Sequence, residues 1–600
     1  MTPARASVSR AAARGSRLFV AAGLAVGLAA AVACGGGTVV PVTPPPPEAP
    51  PPSRSAVAER FDASRDAFYD RYLELSPTFA VTLGYHKYDG ALPDVSARGL
   101  TAQAAWLKEQ QAAFEAVPAA DLEPDQAIEL AVILTQIRGD RFDLEVARWP
   151  KTNPMSYVDR LALTDYITRD YAPLGERARA VIALSGAVKA YLEAAQANLP
   201  EAMPRTWVET ALLQINGMID FARKDVAVAF TALDDPMVRT EVADALRAYA
   251  AALTGYRDFL KARLRRSTDD FALGPERFLA MLAAKEGVTI DLARLRRIGE
   301  EDLAHNLAIL ELSARAIEPK KPVATVVDMV KRDKPAADKV LAEATTQAAA
   351  MRKFLVDKSI VTIPSEDVAE VRVSPPFMRW NAAFLSAPGV FEEKTLPAFY
   401  YISPPDPTWP RREQQAYIPP RGDLLYTTIH EVWPGHFLQY LHQKRARSRV
   451  LRSFCTYSAV EGWAHYAEQM MHEAGASGGD PKLAIGQLTD ALLRDVRFLS
   501  AIGLHTGGMK VRDSVAMFET QAFAERPTAR QQATRGTFDP GYLNYTLGKL
   551  MIRKLRDDWK GKAGSDYSLK AFHDRFLSYG CAPIPVIRRA MLGPDAGPAL

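Results

Sequence analysis

The chain has 600 residues, 48% of them hydrophobic and 24% charged, a balance that excludes a disordered protein and a length beyond what one hydrophobic core usually serves. Lysine and arginine total 74 against 70 for aspartate and glutamate, and the two signs are interleaved, so no basic nucleic-acid-binding surface is expected. Three cysteines are too few for a disulfide framework.

Arg5, Arg10, Arg14 and Arg17 precede an apolar run from Leu18 to Ala33, the order of a secretory signal. These four arginines account for the whole formal excess of +4, so the charge says nothing about acidic partners. The run ends Ala31-Val32-Ala33-Cys34-Gly35, which resembles a bacterial lipoprotein signal over residues 1–34, with Cys34 lipidated and exposed as the new N-terminus. An ordinary cleaved signal and a single membrane anchor are the alternatives. Gly35 after the cysteine resembles the outer-membrane sorting default, so the expected location is the bacterial cell envelope, facing periplasm or cell surface. Residues 35–56 hold Pro44 to Pro47 and Pro50 to Pro52, a tether that favours polyproline II and packs no core. Cys455 and Cys581 remain, and the sequence leaves open whether they pair.

From position 57 the apolar spacing is that of helices. Segments 57–83, 101–117, 124–146, 174–198, 207–231, 237–266, 276–315 and 336–357 are the candidates, with Ser76-Pro77 and Asp235-Pro236 as starts. They form an expected N-terminal helical half, 57–358. The texture changes over 360–420, where Val368 to Val373 and Ala398 to Ile402 read as strands of a small sheet between Pro-rich loops. Helices resume at 424–445, 457–473, 484–507, 510–526, 540–560 and 566–579, so residues 359–600 form the second half. The fold class is mainly α, with a small sheet beside the helix described next.

That helix carries Thr428-Ile429-His430-Glu431-Val432-Trp433-Pro434-Gly435-His436, and the following one Val460-Glu461-Gly462-Trp463-Ala464-His465-Tyr466-Ala467-Glu468. Two imidazoles and a downstream carboxylate are the ligand types of a zinc hydrolase, with Glu431 beside the first imidazole as base. The spacing opposes this on a regular helix, since six residues turn roughly 240° and would point His436 away from His430. Pro434 and Gly435 between them force a kink or bulge that can bring the rings back together. The bland alternative is a helix end and two unrelated histidines. Glu461, His465, Glu468 and His472 make a stripe on one helix face. Glu468 is a candidate to orient a ligand histidine, whereas His465 and His472 read as ion-pair partners on a solvated face.

These elements resemble the bacterial family catalogued as domain of unknown function 885, grouped by similarity with gluzincin metallopeptidases. The resemblance runs through most of the chain after the tether. It rests on Pro77-Thr78-Phe79-Ala80-Val81-Thr82-Leu83-Gly84-Tyr85, on Asn153-Pro154 with Tyr157, on Phe399-Tyr400-Tyr401 and on the two elements above. Later come Gly503-Leu504-His505, Tyr545-Thr546-Leu547-Gly548-Lys549 and Leu555-Arg556. It implies one zinc per chain held by His430, His436 and Glu461, with the Pro-Gly insertion as the family's own variant. His465 and Ile502 depart from the family pattern, which has an apolar residue and Asp there.

The remaining candidates follow from chemistry, each with a structural alternative. Tyr545 and His505 are candidate donors for an oxyanion, or else a helix-packing tyrosine and a structural histidine. Arg497 suits a substrate carboxylate, or is a surface arginine. The strand with Tyr400 and Tyr401 suits alignment of a peptide by strand addition, or is an ordinary core strand. The expected function is a zinc-dependent hydrolase, a metallopeptidase of carboxypeptidase or dipeptidase type acting on a peptide or small amide. The alternatives are a non-catalytic envelope scaffold of the same fold and a metal-dependent esterase or amidase. Oligomeric state is not legible.

Overall fold

The computed structural model describes residues 55–375, 378–379 and 382–600. The signal, Cys34 and nearly all of the tether lie outside the described residues. The fold is mainly α with one three-stranded sheet. Among the described residues no helix is long and apolar enough to cross a membrane.

Helix α1 spans Ala56–Leu75, capped by Ser55, whose hydroxyl accepts from the Ala58 N–H. It stops at Ser76 because the residue before a proline is pushed out of the helical region, and a short helix restarts at Pro77. The single helix expected over 57–83 is therefore two. Helices α2 (Leu174–Asn198) and α3 (Pro236–Arg263) pack together and lie in one apolar core, drawn from Val95 to Leu260. Asp235 caps α3 as its sequence suggests, accepting from Met237 and Val238. The stretch expected as 276–315 divides at Gly287, and its second part is α4 (Leu292–Ile317).

The sheet has strands β1 (Ala369–Val373), β2 (Ala383–Ser386) and β3 (Ala398–Ile402), in the order β1-β3-β2. β3 is buried along its length, parallel to β1 (Ala369 opposite Ala398) and antiparallel to β2 (Ala383 opposite Ile402). β2 was not expected, since four residues between loops show no alternation to read.

Six helices that build the site follow. They are α5 (Arg421–Glu431), α6 (His436–Gln443), α7 (Tyr457–Glu473), α8 (Pro481–Thr506), α9 (Arg526–Phe538) and α10 (Asn544–Ala563). The helix expected over 510–526 is Val511–Gln521, and sequence periodicity revealed neither α9 nor the short helices Val323–Val330, Arg411–Tyr417 and Ile584–Leu592. α8 is buried along most of its length and packs on α4, α5 and α9. α7 crosses α10 at two glycines: a Cβ on Gly462 would sit 2.4 Å from Gly548 Cα, and one on Gly548 would sit 2.1 Å from Ser458 O. Only glycine permits this approach, which sets Glu461 and Tyr545 on adjoining helices.

A second core joins these helices and the sheet to α1 and α4, running from Phe61 to Met591. Charge is buried within it. Lys549 of α10, with no exposure, reaches Asp302 of α4 at 2.5 Å, and Asp495 of α8 binds Asn306 at 2.6 Å and Thr546 at 3.2 Å. A disulfide joins Cys455 and Cys581, with Cα atoms 4.7 Å apart, and ties the start of α7 to the chain beyond α10.

Candidate metal centre and its cavity

The kink expected at Pro434-Gly435 is a complete break. α5 ends at Glu431, where Val432 and Trp433 both donate to Thr428 O. The Trp433–Pro434 bond is cis. Gly435 then donates to Ile429 O at 3.0 Å, and α6 starts at His436. The chain folds back over its own helix so closely that a Cβ on Gly435 would lie 1.8 Å from His430 O. His436 is thereby returned to His430, their ring centroids 4.7 Å apart and their planes at 86°.

Glu461 of α7 completes the cluster. Its Oε2 is 3.4 Å from Nε2 of His430 and 3.4 Å from Nε2 of His436. One ligand atom from each residue falls within 4.8 Å of the others, the one such group among the described residues. Glu461 Oε2 is buried and lacks a hydrogen-bond partner, although it faces both rings. A buried carboxylate oxygen and two ring nitrogens converging without hydrogen bonds fit a divalent cation.

A carboxylate behind His430 fixes its orientation. Glu468, fully buried, lies 2.6 Å from His430 Nδ1 through Oε1, which leaves Nε2 for the cluster. Arg494 reaches the same oxygen at 3.0 Å, and His465 Nδ1 lies 3.3 Å from Oε2. Burial raises the Glu468 carboxyl, but Arg494, His430 and His465 hold it well below the usual carboxylate range. Burial opposes the charge on His430 too, yet Glu461 and Glu468 push its pKa up. The stripe on α7 is not a solvated face: His465 and Glu468 are both fully buried, and burial, helped by the charge of Lys549, pushes His465 down to about 3. His472 lies half-buried, 3.0 Å from the Tyr426 hydroxyl.

The cluster opens into a cavity of about 400 Å³. Glu431 lines it, and its Oε2 accepts the Leu385 N–H of β2 at 2.8 Å, which aims the carboxylate from the helix end. Tyr545 also lines it, its ring near-parallel to His430 at 6.4 Å. Three guanidinium groups surround that ring, Arg497 at 4.8 Å, Arg494 at 5.8 Å and Arg535 at 5.9 Å. Arg494 is matched by Glu468 and Asp490, and Arg535 by Asp539. Arg497 gives its Nε to Gln532 Oε1 at 2.8 Å and has no carboxylate in ion-pair range among the described residues. Burial and the neighbouring Arg535 and Arg494 pull its pKa down.

Three of the sequence candidates lie elsewhere. His505 is outside the cavity, buried between Phe271 and Phe278, with Nε2 on Gly536 O at 2.7 Å and Nδ1 accepting from Leu273 N–H at 3.4 Å. Both ring nitrogens serve the backbone, so the residue holds the end of α8 and faces no substrate. Tyr400 and Tyr401 belong to the central strand, which has neighbours on both sides and takes no further strand. The Tyr400 hydroxyl lies against Thr428 at 3.3 Å. The edge strand β2 lines the cavity in their place, through Ala383, Phe384 and Leu385. Arg494, Arg535 and Asp490 were not singled out from sequence. For two of them a signal existed: Asp490, Arg494 and Arg497 recur at spacings of four and three on a helix otherwise rich in apolar residues, an unusual place for charge.

Residues 77–591 match the model of a family described as bacterial protein of unknown function, DUF885. The chain belongs to this family. No curated protein matches the sequence. Among solved structures, this DUF885 member is similar to a presumed lipoprotein of unknown function from Shewanella oneidensis. The identity is 24% and the TM-score 0.75, over 89% of this chain and 99% of the other. It is also similar to a presumed lipoprotein from Colwellia psychrerythraea, with 18% identity and TM-score 0.76, over 90% and 99%. At these identities the likeness shows a shared fold.

Proposed function

We propose that this DUF885 member is a zinc-dependent hydrolase of the bacterial envelope, a metallopeptidase of carboxypeptidase or dipeptidase type. The observation that carries the reading is the convergence of His430, His436 and Glu461 on one point of a cavity that also holds Glu431. Zinc bound there supplies Lewis acidity to a carbonyl and lowers the pKa of water toward neutrality. Glu431 is the general base: one carboxylate oxygen is held by Leu385 N–H, and the other takes the proton of the attacking water. The same carboxyl returns that proton to the leaving amine as the C–N bond breaks. Tyr545 donates to the carbonyl oxygen as negative charge grows on it. Arg497, the cavity's unmatched guanidinium, receives a substrate carboxylate through its terminal nitrogens, which favours cleavage near a free C-terminus. β2, the edge strand in the cavity wall, offers an extended peptide the backbone groups that Glu431 and Arg169 leave unused.

The signal-like N-terminus and the presumed lipoprotein nature of the two relatives support anchoring through Cys34. A screen of peptides with free and amidated C-termini, using the zinc-loaded full-length protein, tests the reaction. Wild type is expected to cleave free-acid peptides, and Glu431→Gln to lose about 10²–10⁴-fold in turnover with its melting temperature and zinc unchanged. A Glu431→Gln variant as active as wild type overturns the mechanism. Cleavage confined to esters or non-peptide amides overturns the substrate class.

A further inference from the structure

A larger chamber of about 600 Å³ adjoins the metal cavity, lined by Asp140, Asp143, Asp159, Glu286, Asp539 and a single lysine, Lys285. Lys285 is committed to Asp143, 2.9 and 2.8 Å from its two oxygens, and Asp539 pairs with Arg535 at 2.9 Å. Asp140, Asp159 and Glu286 have no ion-pair partner among the described residues. Glu286, 2% exposed, takes hydrogen bonds from the Ser458 N–H and hydroxyl and from Asn544 Nδ2, all neutral donors.

The unmatched atoms are all acceptors. Asn544, itself 2% exposed and lining the chamber, spends Nδ2 on Glu286 and leaves Oδ1 without a partner. Asp140 Oδ2 and Gln214 Oε1, from two further lining residues, are buried and unpartnered as well. Burial pushes Asp140 up to about 6 and Glu286 up to about 7, as expected of carboxyls short of positive charge. A metal ion is not what such an arrangement fits, because these carboxylates do not gather as His430, His436 and Glu461 do. The Trp149 and Tyr457 rings in the wall add faces that attract organic cations.

One partition separates the chamber from the metal cavity. The Tyr457 hydroxyl accepts from Arg535 Nη2 at 2.6 Å and donates to Asp539 Oδ2 at 3.1 Å, and its ring meets Tyr545 edge-on at 5.7 Å. Tyr545 and Arg535 face the metal cavity, while Tyr457 and Asp539 face the acidic chamber.

We infer that this chamber binds the ammonium or guanidinium group of a basic peptide substrate. That the cation belongs to a hydrolysed peptide rests on the proposed function; that the chamber binds a cation does not. The test is calorimetric titration of full-length protein in detergent at low salt and neutral pH, with agmatine as the cation and butylurea as a neutral analogue. Agmatine binds on the order of tenfold or more tighter than butylurea, and Asp140→Asn weakens it on the order of tenfold. Asp140→Asn melts no earlier than wild type, since it removes an uncompensated charge. Asp159→Asn, at the exposed rim, weakens agmatine in the same direction and serves should Asp140→Asn fail to fold. His430→Ala leaves agmatine binding unchanged, so loss of zinc and loss of this site are read separately. Equal binding of the two probes, no binding at millimolar concentration, wild-type affinity in the aspartate variants, or dependence on His430 overturns the inference.

Discussion

Tyr545 sits where a phenol can act on charge rather than on packing. It lines the cavity, is parallel to His430 and is ringed by three arginines. Burial raises its pKa, helped by Glu461, which keeps the proton it donates. Tyr545→Phe preserves the ring, so melting temperature is expected to hold while kcat falls by about 10²–10³-fold and KM moves little. A variant with full kcat returns Tyr545 to a packing role. His505 shows why residue chemistry alone misleads. Its sequence setting suggested a donor to substrate, but Gly536 O and Leu273 N–H take both nitrogens. The approach of His430, Glu431, His436 and Glu461 was legible because the residues lie in two short segments. Arg535 was not, because nothing local in α9 links it to the metal cluster, whose nearest member in sequence, Glu461, lies 74 residues earlier.

At the scale of elements, the long helices were readable from their apolar spacing, whereas breaks within them depended on single residues. The central break is Gly435, which lets α6 fold back over α5. Any Cβ there meets the His430 carbonyl and forces the two helix ends apart. Gly435→Ala is expected to cost about 3 kcal/mol or more and to abolish zinc capture, read by thermal melting and elemental analysis. A Gly435→Ala protein that melts with wild type and carries its full zinc contradicts the role given to this turn. β2 was invisible for a different reason. Four residues become a strand only through pairing with β3, and that tertiary contact also places Leu385 N–H against Glu431. The α7–α10 crossing at Gly462 and Gly548 is another long-range fact, although both glycines stand inside the segments that first drew notice.

For the whole molecule, mainly helical architecture was evident from composition and periodicity, while the packing of two cavities side by side was not. The acidic chamber draws on helices from Val132 to Pro583, a span no local pattern encodes. Envelope location is argued from residues outside the described structure. Cys34→Ser is expected to release the protein from membranes or block its processing, read by membrane fractionation. Wild-type protein that remains in membranes and shows no acyl chains by mass spectrometry supports a retained N-terminal anchor instead.

The most direct test of the account is the zinc content of the purified full-length protein after exposure to zinc and removal of loosely bound ions. Wild type is predicted to carry about one zinc per chain, Glu431→Gln the same, and His430→Ala none. A wild type that retains no zinc, or a His430→Ala protein that retains all of it, contradicts the metal centre on which the proposed function stands.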